Sequence, residues 1–288
     1  MEKETHTDET SLKRLVDLAK KGQRDALEEL VKRIQDRIYG LALRTLFLPA
    51  DAEDATQETL IKIITHLGSF KGESRFTTWC YRVAANHLLS TRKRRAERCF
   101  SFEKCKQAIE EALSMSSMEH FESPEDHLII EEVKLACLQG MLLCLSREIR
   151  LAFILGVVFE VTSDEGSQIL SIKPEAFRQR LSRGRKQIQD FMTKKCSLVN
   201  PGNPCACTKL LPYQIKIKLL HPENFRFANH RCYARRNSSA DSQLQELGEL
   251  KRIAVLFRSH PDYAAPPTFV KSIKKLFASE RLKILNEA

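Results

Sequence analysis

Ser163-Asp164-Glu165-Gly166-Ser167-Gln168-Ile169-Leu170, Ser171-Ile172-Lys173 and Pro174-Glu175-Ala176-Phe177-Arg178-Gln179-Arg180-Leu181-Ser182-Arg183-Gly184-Arg185-Lys186 follow one another in the chain. The first piece predicts a short helix and the second a tight turn. Pro174 suits the first position of a long helix, which runs to about Lys194. Phe177, Leu181, Ile188 and Phe191 share one face of that helix. From Lys173 to Lys195 there are eight basic residues and two acids. A short helix, a turn and a longer basic helix form the helix-turn-helix arrangement that enters the major groove of DNA. Glu175, Arg178 and Gln179 lie in the first turns, where side chains reach base edges, each bidentate contact giving roughly 1–3 kcal/mol of discrimination. Arg183, Arg185 and Lys186 suit phosphate contacts that set register, and Lys173 is a further candidate DNA contact. A solvated charged face is the plainer reading of such a helix. The short helix and turn before it weigh against that.

Upstream, Ser123-Pro124-Glu125-Asp126 is a helix start with a capping hydroxyl, Pro and first-turn acids. Its helix turns Leu128, Ile129, Val133, Ala136, Cys137, Gly140, Met141 and Cys144 inward. Ser146-Arg147-Glu148 opens the next helix, to about Val158. Residues 99–123 are weakly periodic, with Ser114, Ser116 and Ser117, and read as a linker with some helical tendency. Before them, Leu27, Leu30, Val31, Ile34, Ile38, Leu41 and Ala42 recur at helical spacing, and Leu60, Ile63, Ile64 and Leu67 form a second stripe. A third helix is predicted from about Phe76 to Arg98.

Two charge patterns stand out in this first part. Asp51-Ala52-Glu53-Asp54-Ala55-Thr56-Gln57-Glu58 holds four acids and no base, more than capping a helix requires. It fits a basic protein partner. Further on, Phe76-Thr77-Thr78-Trp79-Cys80-Tyr81-Arg82 leads to Asn86, His87 and the cluster Arg92-Lys93-Arg94-Arg95. Aromatics beside a basic run suit single-stranded nucleic acid, where bases stack and phosphates are neutralised. Core packing is an equal reading for Trp79 and Phe76.

The 288-residue chain carries a net charge of +10, which fits a polyanionic partner. No stretch has the roughly 18–20 apolar residues that span a bilayer. The polar start, Met1 to Ser11, has no signal-peptide pattern. The expectation is a cytoplasmic protein without a membrane partner, its nine Cys mostly free thiols or metal ligands.

Together these stretches resemble the extracytoplasmic-function (ECF) group of the sigma-70 family, over about Leu27 to Phe191. Asp51-Ala52-Glu53-Asp54…Gln57-Glu58 resembles the region-two helix that grips core RNA polymerase. Phe70…Phe76-Thr77-Thr78-Trp79…Arg82-Val83-Ala84-Ala85-Asn86 resembles the segment that melts and reads the minus-ten element. Phe153 to Lys186 resembles region four, which reads the minus-thirty-five element as duplex.

The resemblance implies an all-α fold. It divides the chain into a region 2-like bundle (1–98), the linker (99–123), a region 4-like helix-turn-helix domain (124–195) and a partly helical C-terminal extension (196–288). It implies that Asp54, Gln57 and Glu58 dock core polymerase and that Trp79 and Asn86 serve the minus-ten element, Asn86 at a flipped base. Arg92, Lys93, Arg94 and Arg95 would hold phosphates nearby. Partners are core polymerase, promoter DNA and, in some members, an anti-sigma protein. No cofactor is required and no bond is made or broken, so no catalytic residue is expected. The sequence departs from the family at Ser90, where an acid is common, and at Gly166-Ser167, where Ala is common.

The extension holds Cys196, Cys205 and Cys207 around Asn200-Pro201-Gly202-Asn203-Pro204. Three thiols so close suit Zn²⁺ or another metal, with His221, His230 or Cys232 as a fourth ligand. A reversible disulfide from Cys196 to Cys205 or Cys207 competes with that, as do three incidental thiols. Similar Cys-containing tails occur in some sigma factors and imply regulation. The alternative for the whole chain is an autonomous helix-turn-helix regulator. The acidic helix and the aromatic-basic segment argue against it, since such a regulator needs neither.

Overall fold

A computed structural model describes residues 2–92, 95–115, 124–221, 223–228, 248–266 and 269. The described residues are helical, and their one β-type contact is an isolated bridge between Cys196 and Cys205. The all-α expectation holds. Helices α1 (Glu2–Lys20), α2 (Arg24–Leu46), α3 (Pro49–Thr65) and α4 (Phe76–Ser90) form the first bundle. The two predicted stripes are its core, with Leu30, Ile34, Ile38, Leu60 and Ile63 each 2% exposed or less. The Glu9 carboxylate accepts from the Phe76 backbone N–H at 3.0 Å and so caps α4.

The helix predicted from Phe76 to Arg98 breaks after Ser90, and a short helix α5 (Arg95–Cys99) follows. The cause lies far off in sequence. The Arg147 guanidinium donates to the carbonyls of Leu88 at 2.6 Å and Thr91 at 2.5 Å. It thereby satisfies terminal carbonyls of α4 that a longer helix would have used internally.

The segment read as a linker contains a regular helix, α6 (Phe102–Met115). Then come α7 (Pro124–Leu143), α8 (Arg147–Phe153) with a π-helical turn over Ile154–Val158, α9 (Ser163–Leu170) and α10 (Pro174–Lys195). Beyond them lie α11 (Cys207–Lys216) and α12 (Glu249–Arg258). The last part of the expected partly helical extension, 270–288, lies outside the described residues. No described helix is long and apolar enough to cross a membrane.

One apolar core runs from the first bundle through α7 to α10 and into the extension, including Leu41, Leu142, Ile154, Phe177, Phe257 and Tyr263. At its polar centre, the Glu97 side chain is 2% exposed and binds two arginines, Arg147 at 2.5 Å and Arg150 at 2.9 Å. Arg150 also donates to the carbonyls of Leu142 at 2.9 Å and Leu145 at 2.9 Å, and to that of Thr45 on α2. Burial lowers the Arg150 pKa, and the Glu97 charge opposes that shift. Elsewhere α9 lies against α4, where Thr78 donates to Glu165 at 2.8 Å and Tyr81 meets Phe159 at 5.5 Å between ring centres.

The extension straps both halves. The Glu132 carboxylate accepts from the backbone N–H groups of Arg226, Phe227 and Ala228 at 2.7–2.9 Å. Arg44 of α2, 4% exposed, lies 4.6 Å from the Tyr263 ring centre and 5.5 Å from that of Phe159. It also donates to the Pro261 carbonyl at 3.1 Å. Asp36 accepts from the Ala265 N–H at 2.9 Å, and Tyr39 meets Phe269 edge-on.

Glu97→Gln removes the charge that neutralises two buried guanidiniums. The expected cost is about 3–5 kcal/mol of stability, as for other buried pairs stripped of one partner. Denaturant unfolding of the variant against the parent measures it.

Candidate nucleic-acid and polymerase interfaces

The helix-turn-helix is built as its sequence pattern requires. Thr162 caps α9, its hydroxyl accepting from the Glu165 N–H at 3.2 Å. Ser171 ends α9 at φ 53° in the left-handed region, turning the chain towards α10. Lys173 precedes α10, and Pro174 stands in its first turn. Ile169, Leu170, Phe177 and Ile188 are buried where the two helices cross.

Gly166 has a packing reason. A Cβ there would fall 2.3 Å from the Phe177 ring. The close approach of α9 to α10 therefore excludes the Ala common in the family. It outweighs the roughly 1 kcal/mol of helix propensity that Ala would add.

With that crossing fixed, Glu175, Arg178, Gln179, Arg183, Arg185 and Lys186 are all exposed on α10, as is Lys173 just before it. Arg178 pairs with Glu175 at 2.8 Å, with both side chains more than half exposed. Such a surface pair contributes little stability and gives way readily to a base edge.

On α3, Ala52, Ala55, Thr56, Thr59 and Leu60 face the core. Asp54 and Glu58 are exposed and Gln57 is half-buried. The three residues expected to dock a protein thus share the outer side of one helix. Glu58 lies 3.5 Å from the buried His87 imidazole, which also meets Lys62 at 2.8 Å.

Asn86 and Arg92 are exposed at the C-terminal side of α4 and just beyond it. Lys93 and Arg94 lie outside the described residues, and α5 begins with Arg95. Trp79 differs from the nucleic-acid expectation. It is 6% exposed and packs 5.8 Å from Phe76 and 5.6 Å from Phe70, so its ring offers no free face for stacking.

The metal expectation at Cys196, Cys205 and Cys207 is not supported. Among the described residues, no three His, Cys, Asp or Glu side chains are grouped to hold a metal. Burial raises the Cys196 pKa and pushes those of Cys205 and Cys207 up to about 12. The suggested fourth ligands His230 and Cys232 lie outside the described residues, while His221 is exposed. The segment has a structural task instead. The Asn203 side chain donates to the carbonyls of Thr193 at 2.8 Å and Cys196 at 3.1 Å, closing the end of α10.

Sequence reasoning missed the buried partners Arg44, Glu97, Glu132, Arg147 and Arg150. Arg147 and Glu97 sat in stretches read only as a helix start and a helix end, and no local pattern marks partners 50 residues apart.

An exposed basic helix in a helix-turn-helix and a helix with acids on its outer side fit a DNA-binding protein that works with a protein partner. The family described as Sigma-70 region 2 matches residues 30–98, from within α2 through α3 and α4 into α5. ECF RNA polymerase sigma factor SigW of Bacillus subtilis (strain 168) is 30% identical over 190 residues, covering 64% of this chain and 100% of that protein. The ECF RNA polymerase sigma-E factor of Escherichia coli (strain K12) is 28% identical over 177 residues, covering 61% and 91%. The structure of CnrH in complex with the cytosolic domain of CnrY covers 64% of this chain and 97% of that one, at 18% identity and a TM-score of 0.42. The chain belongs to the ECF group of the sigma-70 family. It directs core RNA polymerase to specific promoters in transcription initiation. It is not an enzyme, and its partners are core polymerase and promoter DNA.

Gly166→Ala is expected to destabilise the chain by about 1–3 kcal/mol, the usual cost of overpacking. Thermal unfolding checks this. Added stability would mean that helix propensity, not the Phe177 contact, governs the position.

Proposed function

We propose that three surfaces carry this activity and that the arrangement described above is a closed state, not yet fit to engage a promoter. Asp54, Gln57 and Glu58 dock core polymerase through α3. Asn86 reads an unstacked base of the minus-ten element, with Arg92 to Arg95 on the adjoining phosphates. The first turns of α10 read the minus-thirty-five element in the major groove, with Arg178 and Gln179 at base edges and Lys173, Arg183, Arg185 and Lys186 on phosphates. These tasks divide the chain at the boundaries read from sequence, 1–98, 99–123, 124–195 and 196–288.

The Thr78–Glu165 contact at 2.8 Å carries the closed-state reading. The two promoter elements lie about 25 base pairs apart, roughly 85 Å at 3.4 Å per step. A helix-turn-helix whose first helix touches α4 does not reach both elements at once. Opening must break the Thr78–Glu165 contact, the Glu97 network and the hold of the extension. The extension thus acts as an inhibitor in cis. A separate anti-sigma protein is a further proposed partner, and the cytoplasm, where polymerase works, is the proposed location.

Run-off transcription with purified core polymerase tests the surfaces. Glu58→Lys is expected to weaken core binding at least about tenfold, equal to about 1.4 kcal/mol. Arg178→Ala should relax discrimination at one minus-thirty-five position by roughly 1–3 kcal/mol while leaving core binding intact. Tight binding of the free chain to a duplex site, without core binding or transcripts, favours the autonomous regulator instead.

Tyr263→Ala tests the clamp. It removes the ring over Arg44 and a fully buried side chain, at about 3–5 kcal/mol by analogy with other buried aromatics. Proteolysis of the extension should accelerate, and transcription per molecule of folded factor should rise. Unchanged or lower transcription with a released extension contradicts inhibition in cis.

A further inference from the structure

Cys105 and Cys144 play no part in the surfaces above. Cys105 stands on the first turn of α6, in the stretch joining the two DNA-binding segments. Cys144 follows the last residue of α7. Their sulfurs are 3.6 Å apart across 39 residues of sequence, and both side chains are half-buried. A disulfide needs about 2.05 Å between sulfurs, so a small side-chain movement closes the gap.

The pair is also within reach of a small oxidant. Cys105 lines a cavity of about 500 Å³ with Cys99, Phe100, Gly140, Leu210 and Tyr213, and Cys99 is exposed beside it. Five of the other described thiols are less suited. Cys80 is deeply buried, and burial raises the pKa of Cys80, Cys137, Cys196, Cys205 and Cys207. Cys105 is shifted the other way by its contact with the Cys144 sulfur, which favours the Cys105 thiolate. The same contact raises the Cys144 pKa, which keeps Cys144 as the thiol. Attack by sulfur requires the thiolate.

We propose that Cys105 and Cys144 form a peroxide-reactive dithiol, Cys105 attacking and Cys144 resolving, whose disulfide staples the joining helix α6 to the end of α7. The Cys105 thiolate attacks one oxygen of hydrogen peroxide. The O–O bond breaks, and hydroxide leaves and takes up a proton as water. Cys105 is left as a sulfenic acid. Cys144 then releases its proton and attacks the Cys105 sulfur as the thiolate. The S–O bond breaks, a second water leaves with the Cys144 proton, and the disulfide forms. Two thiols lose two electrons in all, and one peroxide gains them. A small dithiol reverses the bond by exchange.

The full-length chain is treated with less than one equivalent of hydrogen peroxide, alkylated, digested without reductant and mapped by mass spectrometry. The Cys105–Cys144 cross-link is expected to form at least about tenfold faster than any other and to vanish on adding dithiothreitol. Cys144→Ser should leave a sulfenic acid on Cys105 that dimedone traps, whereas Cys105→Ser should leave none on Cys144. Wild-type mapping decides the pairing even if a variant folds poorly. A first cross-link between Cys196 and Cys205, an unpaired and over-oxidised Cys105, or dimedone on Cys144 in Cys105→Ser overturns the proposal.

Discussion

Glu97 holds two buried arginines, and the joined state of the molecule depends on that carboxylate. Arg147 spends its remaining donors on α4 carbonyls, and Arg150 on carbonyls from α2 and the end of α7. Neither guanidinium sits in this interior without a counter-charge. Such a pair contributes little net stability against well-packed apolar side chains, yet breaking it is costly. It favours one specific docking of the two halves and penalises others. It also ends α4 after Ser90, which leaves Asn86 and Arg92 exposed at the helix end.

Much of the fold was legible in the sequence because it rests on local signals. The apolar stripes of α2 and α3, Pro174 at the start of α10 and the short helix Ser163–Leu170 are all periodicity or capping. The outward position of the α10 basic residues followed from Phe177, Leu181 and Ile188 facing inward. The exposed Asp54 and Glu58 followed in the same way from the apolar face of α3.

What was not legible depends on distant partners. Trp79 reads alike as a stacking platform and as core, and only Phe70 and Phe76 against it decide for core. Gly166 departs from the Ala common in the family, and only the Phe177 ring packed against it gives the reason. The Cys196 to Cys207 segment has the density of a metal loop, but its Asn203 side chain donates to backbone carbonyls and closes α10. Arg44 lies between Phe159 and Tyr263, which no spacing rule connects.

The central claim is that the two DNA-reading halves are docked in the free factor and separate to act. It is tested most directly by the distance between spin labels at exposed positions Lys71 and Gln187, introduced through non-thiol chemistry. The account predicts one short, narrow distance in the free chain and a much longer one once core polymerase and promoter DNA are bound. A long, broad distribution in the free chain, unchanged by polymerase, would contradict it.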